Sequence, residues 1–350
     1  MNKIKSVDET FNDLKIKLSK IVPEAELLLA SELIVEIEEL KKERNAVILG
    51  HNYMEPALYH SVPDYKGDSL ELSRRAAETK ADIIVFCGVE FMAETAKILS
   101  PEKTVLVPSD RAGCSLAESI TAEDVRALKK LYPNAPVVTY VNTYADVKAE
   151  TDICCTSSNA VKVVNHLATD TVIFLPDAYL AANVARETGK KIVYAKKING
   201  EIVCDATADK NVLIVWQGFC EVHDRFSVED VQSIRKQSPE TMILAHPECK
   251  ADVVEACDFS GSTSAMIKAV KEGNAKSYAL FTECSMGDNI IAENQDKELL
   301  RMCSFRCPYM AQITLEMTRD ALKYNRYEVN ISNELIDKAR LSLNRMLEIH

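Results

Sequence analysis

The stretch AVILGHNY (46–53), LELSRRAAETK (70–80), DIIVFCGV (82–89), FMAETAKIL (91–99) and TVLVP (104–108) decides the fold. AVILG, DIIVFC and TVLV are short apolar runs with no polar alternation, the pattern of strands buried on both faces. LELSRRAAETK and FMAETAKIL carry apolar residues at helical spacing, and Asp68 or Ser69 can cap the first of them. Strand, helix, strand, helix, strand with unbroken apolar strands predicts a parallel sheet covered by helices on both sides.

The same rhythm returns twice. APVVTYVNT (135–143), DICCTSSN (152–159), TVIFLPD (171–177) and NVLIVWQGFC (211–220) read as strands, with helices AVKVVNHL (160–167) and YLAANVARETG (179–189). Gly189 is a helix stop. KIVYAKKINGEIV (191–203) holds an Asn-Gly between two extended runs, a hairpin signal, and reads as an insertion. TMILAHPEC (241–249), ACDFSGS (256–262), SAMIKAVKEGN (264–274) and SYALFTEC (277–284) open a third round, which ends in a strand near Cys303. Helices are expected at 309–324 and 333–348. Residues 1–44 read as two helices broken at Pro23.

Other function classes are thinned by composition. The net charge of −11 argues against a nucleic-acid binder, which carries a basic face. No apolar run approaches 18 residues, so no transmembrane helix is expected. The opening MNKIKSVDETFNDLKIKL is charged and does not read as a secretory signal. Eleven cysteines, an odd number, then point to a reducing, cytoplasmic compartment. Cys87, Cys154 and Cys257 lie in apolar stretches and read as core filler.

Ligands bind beyond the C-terminal ends of strands in open parallel sheets. Here those ends are rich in His, Tyr, Asn, Glu, Ser and Thr. His51, His223 and His246, three of the six histidines, follow apolar strands, and Glu248 adds a carboxylate beside His246. Such groups supply proton donors and acceptors, and helix starts supply anion donors. Three cysteines recur on the same plan: 104–108 then Cys114, 212–216 then Cys220, 299–302 then Cys307. No paired C-x2-C of a zinc site is present. Pattern alone leaves two readings open, structural cysteines or a cluster with three protein ligands and one open iron.

The motifs GHNY (50–53), GDSLELSRRA (67–76), VFCGVEFMAETAKIL (85–99), RAGCSLA (111–117), TYVNT (139–143), CTSSNAVKVV (155–164), FLPD (174–177), WQGFCEVHDRF (216–226), HPEC (246–249), GST (261–263), CPYMA (307–311) and LNRML (343–347) occur in order. With them the chain resembles the quinolinate synthases, iron–sulfur enzymes of de novo NAD biosynthesis. The resemblance implies an α/β fold of three similar three-layer α/β/α units with parallel sheets around a pseudo-threefold axis, the active site at their junction. The division expected is a helical extension at 1–45 and units at 46–118 (completed by helices of 309–350), 119–223 and 224–308. The implied cofactor is a [4Fe–4S] cluster on Cys114, Cys220 and Cys307, with Cys303 the rival for the third place.

The implied activity is that of a transferase: iminoaspartate condenses with dihydroxyacetone phosphate, phosphate and two waters leave, and the ring of quinolinate closes. The open iron would act as a Lewis acid. By motif, Glu248 is the expected general base with His246 beside it, and Tyr53 and His51 move protons and position substrate. Tyr140 is expected among the catalytic groups. Asn142, Ser69, Ser157, His223, Ser262 and Thr263 are expected to hold substrate, the hydroxyls taking phosphate or carboxylate. Iminoaspartate would come from an aspartate oxidase or an aspartate dehydrogenase, between which the sequence does not choose. Departures from the family pattern are Gln312-Ile313, where many members carry an Asn-containing pair, Phe219, and the Asn-Gly hairpin. Rival readings are another cluster-dependent hydro-lyase and an iron–sulfur sensor.

Overall fold

The structure, a computed structural model, describes residues 4–204, 210–300 and 305–349. Two helices lead, α1 (Val7–Leu18) and α2 (Glu24–Glu43). Ser6 and Glu9 form a capping box at the start of α1, and Pro23 stands at the N-cap of α2, the break read from the sequence. Then follow β1 (Ala46–His51), α3 (Pro56–Tyr59), β2 (Tyr65–Gly67), α4 (Ser69–Glu78), β3 (Ile83–Cys87), α5 (Glu90–Leu99) and β4 (Thr104–Leu106). Asp68 caps α4 by accepting the Glu71 N–H.

The middle of the chain forms α6 (Ala122–Leu131), β5 (Val137–Tyr140), α7 (Ala145–Ala149), β6 (Ile153–Cys155), α8 (Ala160–Leu167), β7 (Thr171–Leu175), α9 (Ala178–Thr188), β8 (Lys191–Ile198), β9 (Glu201–Val203) and β10 (Val212–Trp216). The last part forms α10 (Val228–Gln237), β11 (Met242–Ala245), α11 (Ala251–Ala256), β12 (Phe259–Ser260), α12 (Thr263–Glu272), β13 (Ser277–Phe281), α13 (Cys284–Glu293), β14 (Glu298–Leu300), α14 (Leu315–Tyr324) and α15 (Asn333–Glu348).

Three sheets result, ordered β2-β1-β3-β4, β6-β5-β7-β10-β8-β9 and β12-β11-β13-β14. Each therefore begins second, first, third; the fourth strand comes next in the first and last sheets, and the sixth in the middle one. The pairings are parallel apart from the hairpin β8–β9 among those resolved. Parallel strands buried on both faces explain why Ile48, Leu49, Ile84, Val85, Ile173, Phe174, Leu213 and Ile214 are fully enclosed. Each such side chain contributes about 1.5–3 kcal/mol of burial.

The hairpin at 191–203 exists, with Asn199 and Gly200 at φ 51° and 86°, the left-handed pair that a tight turn requires. It is not wholly an insertion, however. Lys191–Ala195 pairs with Val212–Trp216 in parallel, so the first half of β8 is a member of the sheet. Its lysines and exposed Tyr194 mark the strand next to the sheet edge, where one-sided burial blurs the apolar signal.

By internal contact the chain forms two compact units, one within residues 1–113, 240–242 and 267–330, the other within 114–239, 243–266 and 331–350. In the first, α14 packs on α2, with Lys323 paired to Glu36 at 2.7 Å. In the second, α15 lies on α7 and β6, where Ser342 donates to the Lys148 carbonyl at 3.0 Å. Residues 331–350 thus associate with the sheet of β5, whereas the sequence reading attached all of 309–350 to the sheet of β1.

One backbone construction occurs three times. The N–H of Ile48, Val137 and Ile243 donates to Oδ2 of Asp64, Asp152 and Asp258 at 2.8 Å each. The N–H of each aspartate returns a bond to the same residue's carbonyl, at 2.9, 3.1 and 2.9 Å. Three residues on from these anchors stand His51, Tyr140 and His246, and five on stand Tyr53, Asn142 and Glu248. Five residues beyond the three aspartates stand Ser69, Ser157 and Thr263.

A second construction also occurs three times, on the cysteines. The carbonyls of Cys114, Cys220 and Cys307 accept from the fourth residue on, at 3.0, 2.9 and 3.0 Å. A short 3₁₀ turn follows each, at Ala117–Ser119, His223–Arg225 and Met310–Gln312. Seven residues after each cysteine, Thr121, Ser227 and Thr314 cap α6, α10 and α14.

Candidate active site

In the second unit the ends of β5, β10 and β11 bring Tyr140, His223 and Glu248 together. The Tyr140 hydroxyl donates to Glu248 Oε1 through a short bond. His223 Nδ1 lies 2.9 Å from Glu248 Oε2. The His223 and His246 rings stack at 4.8 Å, and His246 Nδ1 accepts the Glu248 backbone N–H at 3.3 Å. That bond leaves Nε2 as the His246 atom able to carry a proton. Burial pushes the Glu248 carboxyl up, but the charge and hydrogen bond of His223, the charge of His246 and the Tyr140 hydroxyl outweigh it and hold the group below its ordinary value. Glu248 is therefore a buried, ionised acceptor.

Cys220 shares this neighbourhood. Ligand-type atoms of Cys220, His223 and Glu248 all lie within 4.8 Å of one another. Burial pushes the Cys220 thiol well up, and the charges of Glu248 and Cys114 push it further. Cys114 is held near Cys220 by the backbone around Gly218. A Cβ at Gly218 would meet Ser119 Oγ at 2.5 Å and the Pro176 carbonyl at 2.7 Å, so only glycine allows the approach. Trp216 Nε1 donates to the Ser119 carbonyl at 2.9 Å and closes the same contact.

Asp177 was read only as part of a polar strand end, without a role. It is fully buried; Oδ1 caps α9 by accepting from Tyr179 and Leu180, and Oδ2 has no partner. Burial, and then the charge of Glu248, push its carboxyl well up. Two carboxyl groups in one buried place do not both ionise; Glu248, with two imidazoles and a phenol, keeps the charge. A signal was available, since an Asp directly before a helix after a buried strand is a cap.

Asn142 follows β5, and its Oδ1 is buried without a partner. Ser157 stands in the turn before α8 and is half-buried. Ser262 and Thr263 stand at the start of α12 and are nearly inaccessible, with Ser262 Oγ accepting from Ala265 at 3.4 Å.

In the first unit, His51 and Tyr53 end β1. Their rings meet edge to face at 4.8 Å, and His51 Nδ1 accepts the Tyr53 N–H at 3.3 Å. This is the same bond that His246 makes with Glu248. The Tyr53 hydroxyl lies 2.6 Å from Thr282 Oγ1 at the end of β13. Thr282 was read only as part of a polar strand end, without a partner. Next to it, Glu283 caps α13 through Ser285 at 2.7 Å and accepts the Cys307 N–H. Burial pushes its carboxyl up to about 7. Ser69 is the first residue of α4.

The remaining cysteines divide clearly. Cys87 and Cys154 are core residues as read, and Cys155 and Cys249 join them, their thiols pushed up by burial. Cys257 is half-buried instead. Cys303 lies outside the described residues. Among the described residues no helix is long and apolar enough to cross a membrane.

The sequence model of the quinolinate synthetase A protein family matches residues 35–348. Proteins named quinolinate synthase are similar along nearly the whole chain. That of Sinorhizobium fredii is 49% identical over 333 residues, covering 95% of this chain and 87% of its own. That of Caulobacter vibrioides is 49% identical over 337 residues, covering 95% and 86%. That of Xylella fastidiosa is 50% identical over 316 residues, covering 90% and 87%. On this similarity, spanning the strand ends and cysteine segments described above, the chain belongs to the quinolinate synthetase A protein family.

Proposed function

We propose that the chain is a quinolinate synthase, condensing iminoaspartate with dihydroxyacetone phosphate to quinolinate, and that Cys114, Cys220 and Cys307 hold a [4Fe–4S] cluster. The observation that carries the cluster reading is the threefold cysteine construction. It gives each cysteine the same carbonyl bond, the same 3₁₀ turn and the same cap seven residues on. It favours Cys307 over Cys303, because only 307 stands seven residues before the cap at Thr314. The donor set also fits. The charges of Glu248 and Cys114 both oppose a Cys220 thiolate, and a positive group beside these residues would offset them. Such a cluster, with three protein ligands, supplies a Lewis acid at its fourth iron.

The reaction balances without an oxidant: one phosphate and two waters leave, a carbon–carbon bond and a carbon–nitrogen bond form, and the ring closes. Phosphate loss, carbonyl isomerisation and imine formation each require a proton to move. Glu248 enters ionised and acts as the base, its carboxylate aimed by Tyr140 and His223. The Nε2 atoms of His246 and His51 hold or give protons, since their Nδ1 atoms are occupied by backbone N–H groups. Tyr53, bonded to Thr282, offers a phenol for proton transfer. Asn142, with a buried unpartnered carbonyl, offers an acceptor to substrate.

The substrates bring three anionic groups, two carboxylates and a phosphate. Ser69, Ser157 and Thr263, at matching places before or at the starts of α4, α8 and α12, are the donors proposed for them, with Ser262 and His223 assisting. An aspartate oxidase or dehydrogenase would supply the iminoaspartate, in the cytoplasm. The test is to purify the protein without oxygen, determine iron, and measure quinolinate formed from dihydroxyacetone phosphate and freshly generated iminoaspartate. Quinolinate formation with about four irons per chain supports the reading; iron-free protein with full activity sinks the cluster, and no quinolinate sinks the function.

A further inference from the structure

Two buried asparagines stand six residues beyond the caps Asp177 and Glu283, one in each compact unit. Asn183, in α9, donates from Nδ2 to the Pro247 carbonyl at 2.9 Å and the Cys249 carbonyl at 3.1 Å, and also approaches the Tyr179 carbonyl at 3.1 Å. Asn289, in α13, donates from Nδ2 to the Met54 carbonyl at 2.8 Å and the Asn52 carbonyl at 3.2 Å. The first pair of carbonyls flanks Glu248. The second pair flanks Tyr53. Glu248 and Tyr53 occupy the same place in the repeated construction, five residues after its anchor.

We propose that Asn183 and Asn289 are positioning residues, each tying together the carbonyls of the residues before and after a proton-transfer residue. A primary amide suits this position because one nitrogen carries two hydrogens and no charge. It can bond both flanking carbonyls at once without burying a cation. With these carbonyls held, and the N–H groups of Glu248 and Cys249 bonded to His246 and those of Tyr53 and Met54 to His51, the short loop that carries the residue between them is fixed. Glu248 then meets Tyr140 and His223, and Tyr53 meets Thr282.

Both amides are nearly inaccessible, at 3% and 2% exposure, and the Oδ1 of each is buried without a partner. An amide retained only to fill space would be better replaced by an apolar side chain of similar volume, which buries no orphaned oxygen. The unmatched oxygen is the cost of the two-hydrogen donor on the other side of the same group. Other contacts hold the loop through its N–H groups and its margin: the Glu248 and Cys249 N–H groups donate to His246 Nδ1 and the His246 carbonyl at 3.3 and 2.9 Å. Lys250 reaches the Asp224 carbonyl at 2.9 Å and its carboxylate at 3.1 Å. None of these holds the carbonyls of Pro247 and Cys249.

The inference rests on the proton-transfer roles proposed above for Glu248 and Tyr53. The variants are Asn183→Asp and Asn289→Asp, which keep the shape and remove the donor, and Asn183→Ala and Asn289→Ala, which remove the whole group. Expected is a fall in kcat of about 10- to 100-fold with KM nearly unchanged, the scale of a misplaced reacting group. Iron content should stay at the wild-type level. Combining Asn183→Ala with Glu248→Gln should lower the residual single-turnover rate no further than Glu248→Gln alone, because the clamp acts through that carboxylate. Wild-type kcat in the Ala variants overturns the proposal. So does a loss that follows iron and melting midpoint, or a full additional loss in the double variant. A wild-type protein that makes no quinolinate overturns the function and not the clamp alone.

Discussion

Glu248→Gln tests the acid–base centre at the group on which the most contacts converge. The substitution keeps volume and keeps an oxygen to accept from Tyr140. It replaces the other oxygen with an amide NH2 facing His223 Nδ1, now 2.9 Å from a carboxylate oxygen. The imidazole must turn from donor to acceptor, and the base is gone. A positioned general base contributes about 10²- to 10⁴-fold, or about 3–5 kcal/mol of barrier. The fold should suffer much less. Losing a charge-assisted hydrogen bond costs about 1.5–3 kcal/mol, and removing a buried charge returns part of it. The melting midpoint should therefore move by less than about 5 °C. Quinolinate formation, iron content and melting midpoint are measured on anaerobic protein. Expected is a kcat at least 100-fold down with iron unchanged. A kcat within a few-fold of wild type refutes the base; loss of iron together with rate shows that Glu248 supports the metal site instead. Tyr140→Phe, which removes one donor and leaves the carboxylate, should cost less than Glu248→Gln, and an equal loss would move the chemistry to the phenol.

Serine at Cys114, Cys220 or Cys307 should each abolish the brown colour and most of the iron, while Cys303→Ser should retain both; the reverse pattern at 303 and 307 would exchange their roles. Gly218→Ala places a methyl 2.7 Å from the Pro176 carbonyl, so iron content and melting midpoint should both fall, and unchanged values would show that the two cysteine segments do not depend on that approach. His60 is pushed down to about 4, by burial first and then by Lys66. The unfolded chain takes up this proton near pH 6.5 and the folded one refuses it, so the stability is whole above pH 6.5 and declines as pH falls toward 4. His60→Phe should remove about 2 kcal/mol of the stability difference between pH 6.5 and pH 5 in urea titrations, and an identical pH slope in both proteins would refute the assignment.

Elements built from apolar runs were legible because burial on both faces writes itself into composition. Pro23 and Gly189 fell at the boundaries expected of them, and Asn199-Gly200 at the turn. Elements with one exposed side were harder. The first half of β8 carries lysines on its open face and looks like a hairpin arm, and β12 is only two residues long. The association of α15 with α7 could not be read, since its stripe of Ile336, Ala339, Leu343 and Met346 fits any apolar surface. In the site, His, Tyr, Glu and Cys at strand ends were visible as chemistry. Asp177 and Thr282 were seen only as members of such ends, and Asn183 and Asn289 not at all, because their meaning lies in which atom of a distant segment they touch.

The threefold rhythm of strands and helices was read from the sequence, but no repeat at the level of residues was, for a related reason. The anchors Ile48, Val137 and Ile243 are separated by unequal lengths of chain, and the residues that follow them differ. Asp64, Asp152 and Asp258 are identical because each satisfies the same backbone N–H, a demand that the fold makes three times over. Tyr140 stands where the other two copies carry His51 and His246, and Tyr53, Asn142 and Glu248 all differ, because the proposed reaction makes no such threefold demand. The proposed reaction, which loses phosphate and two waters and closes an imine ring, would call for distinct donors and acceptors. A repeated backbone that delivers an imidazole, a phenol, an amide and a carboxylate to matching places meets both requirements. Only at the cysteines would the two demands coincide: the proposed cluster would ask the same thiolate of each segment, and there both the backbone and the side chain are the same.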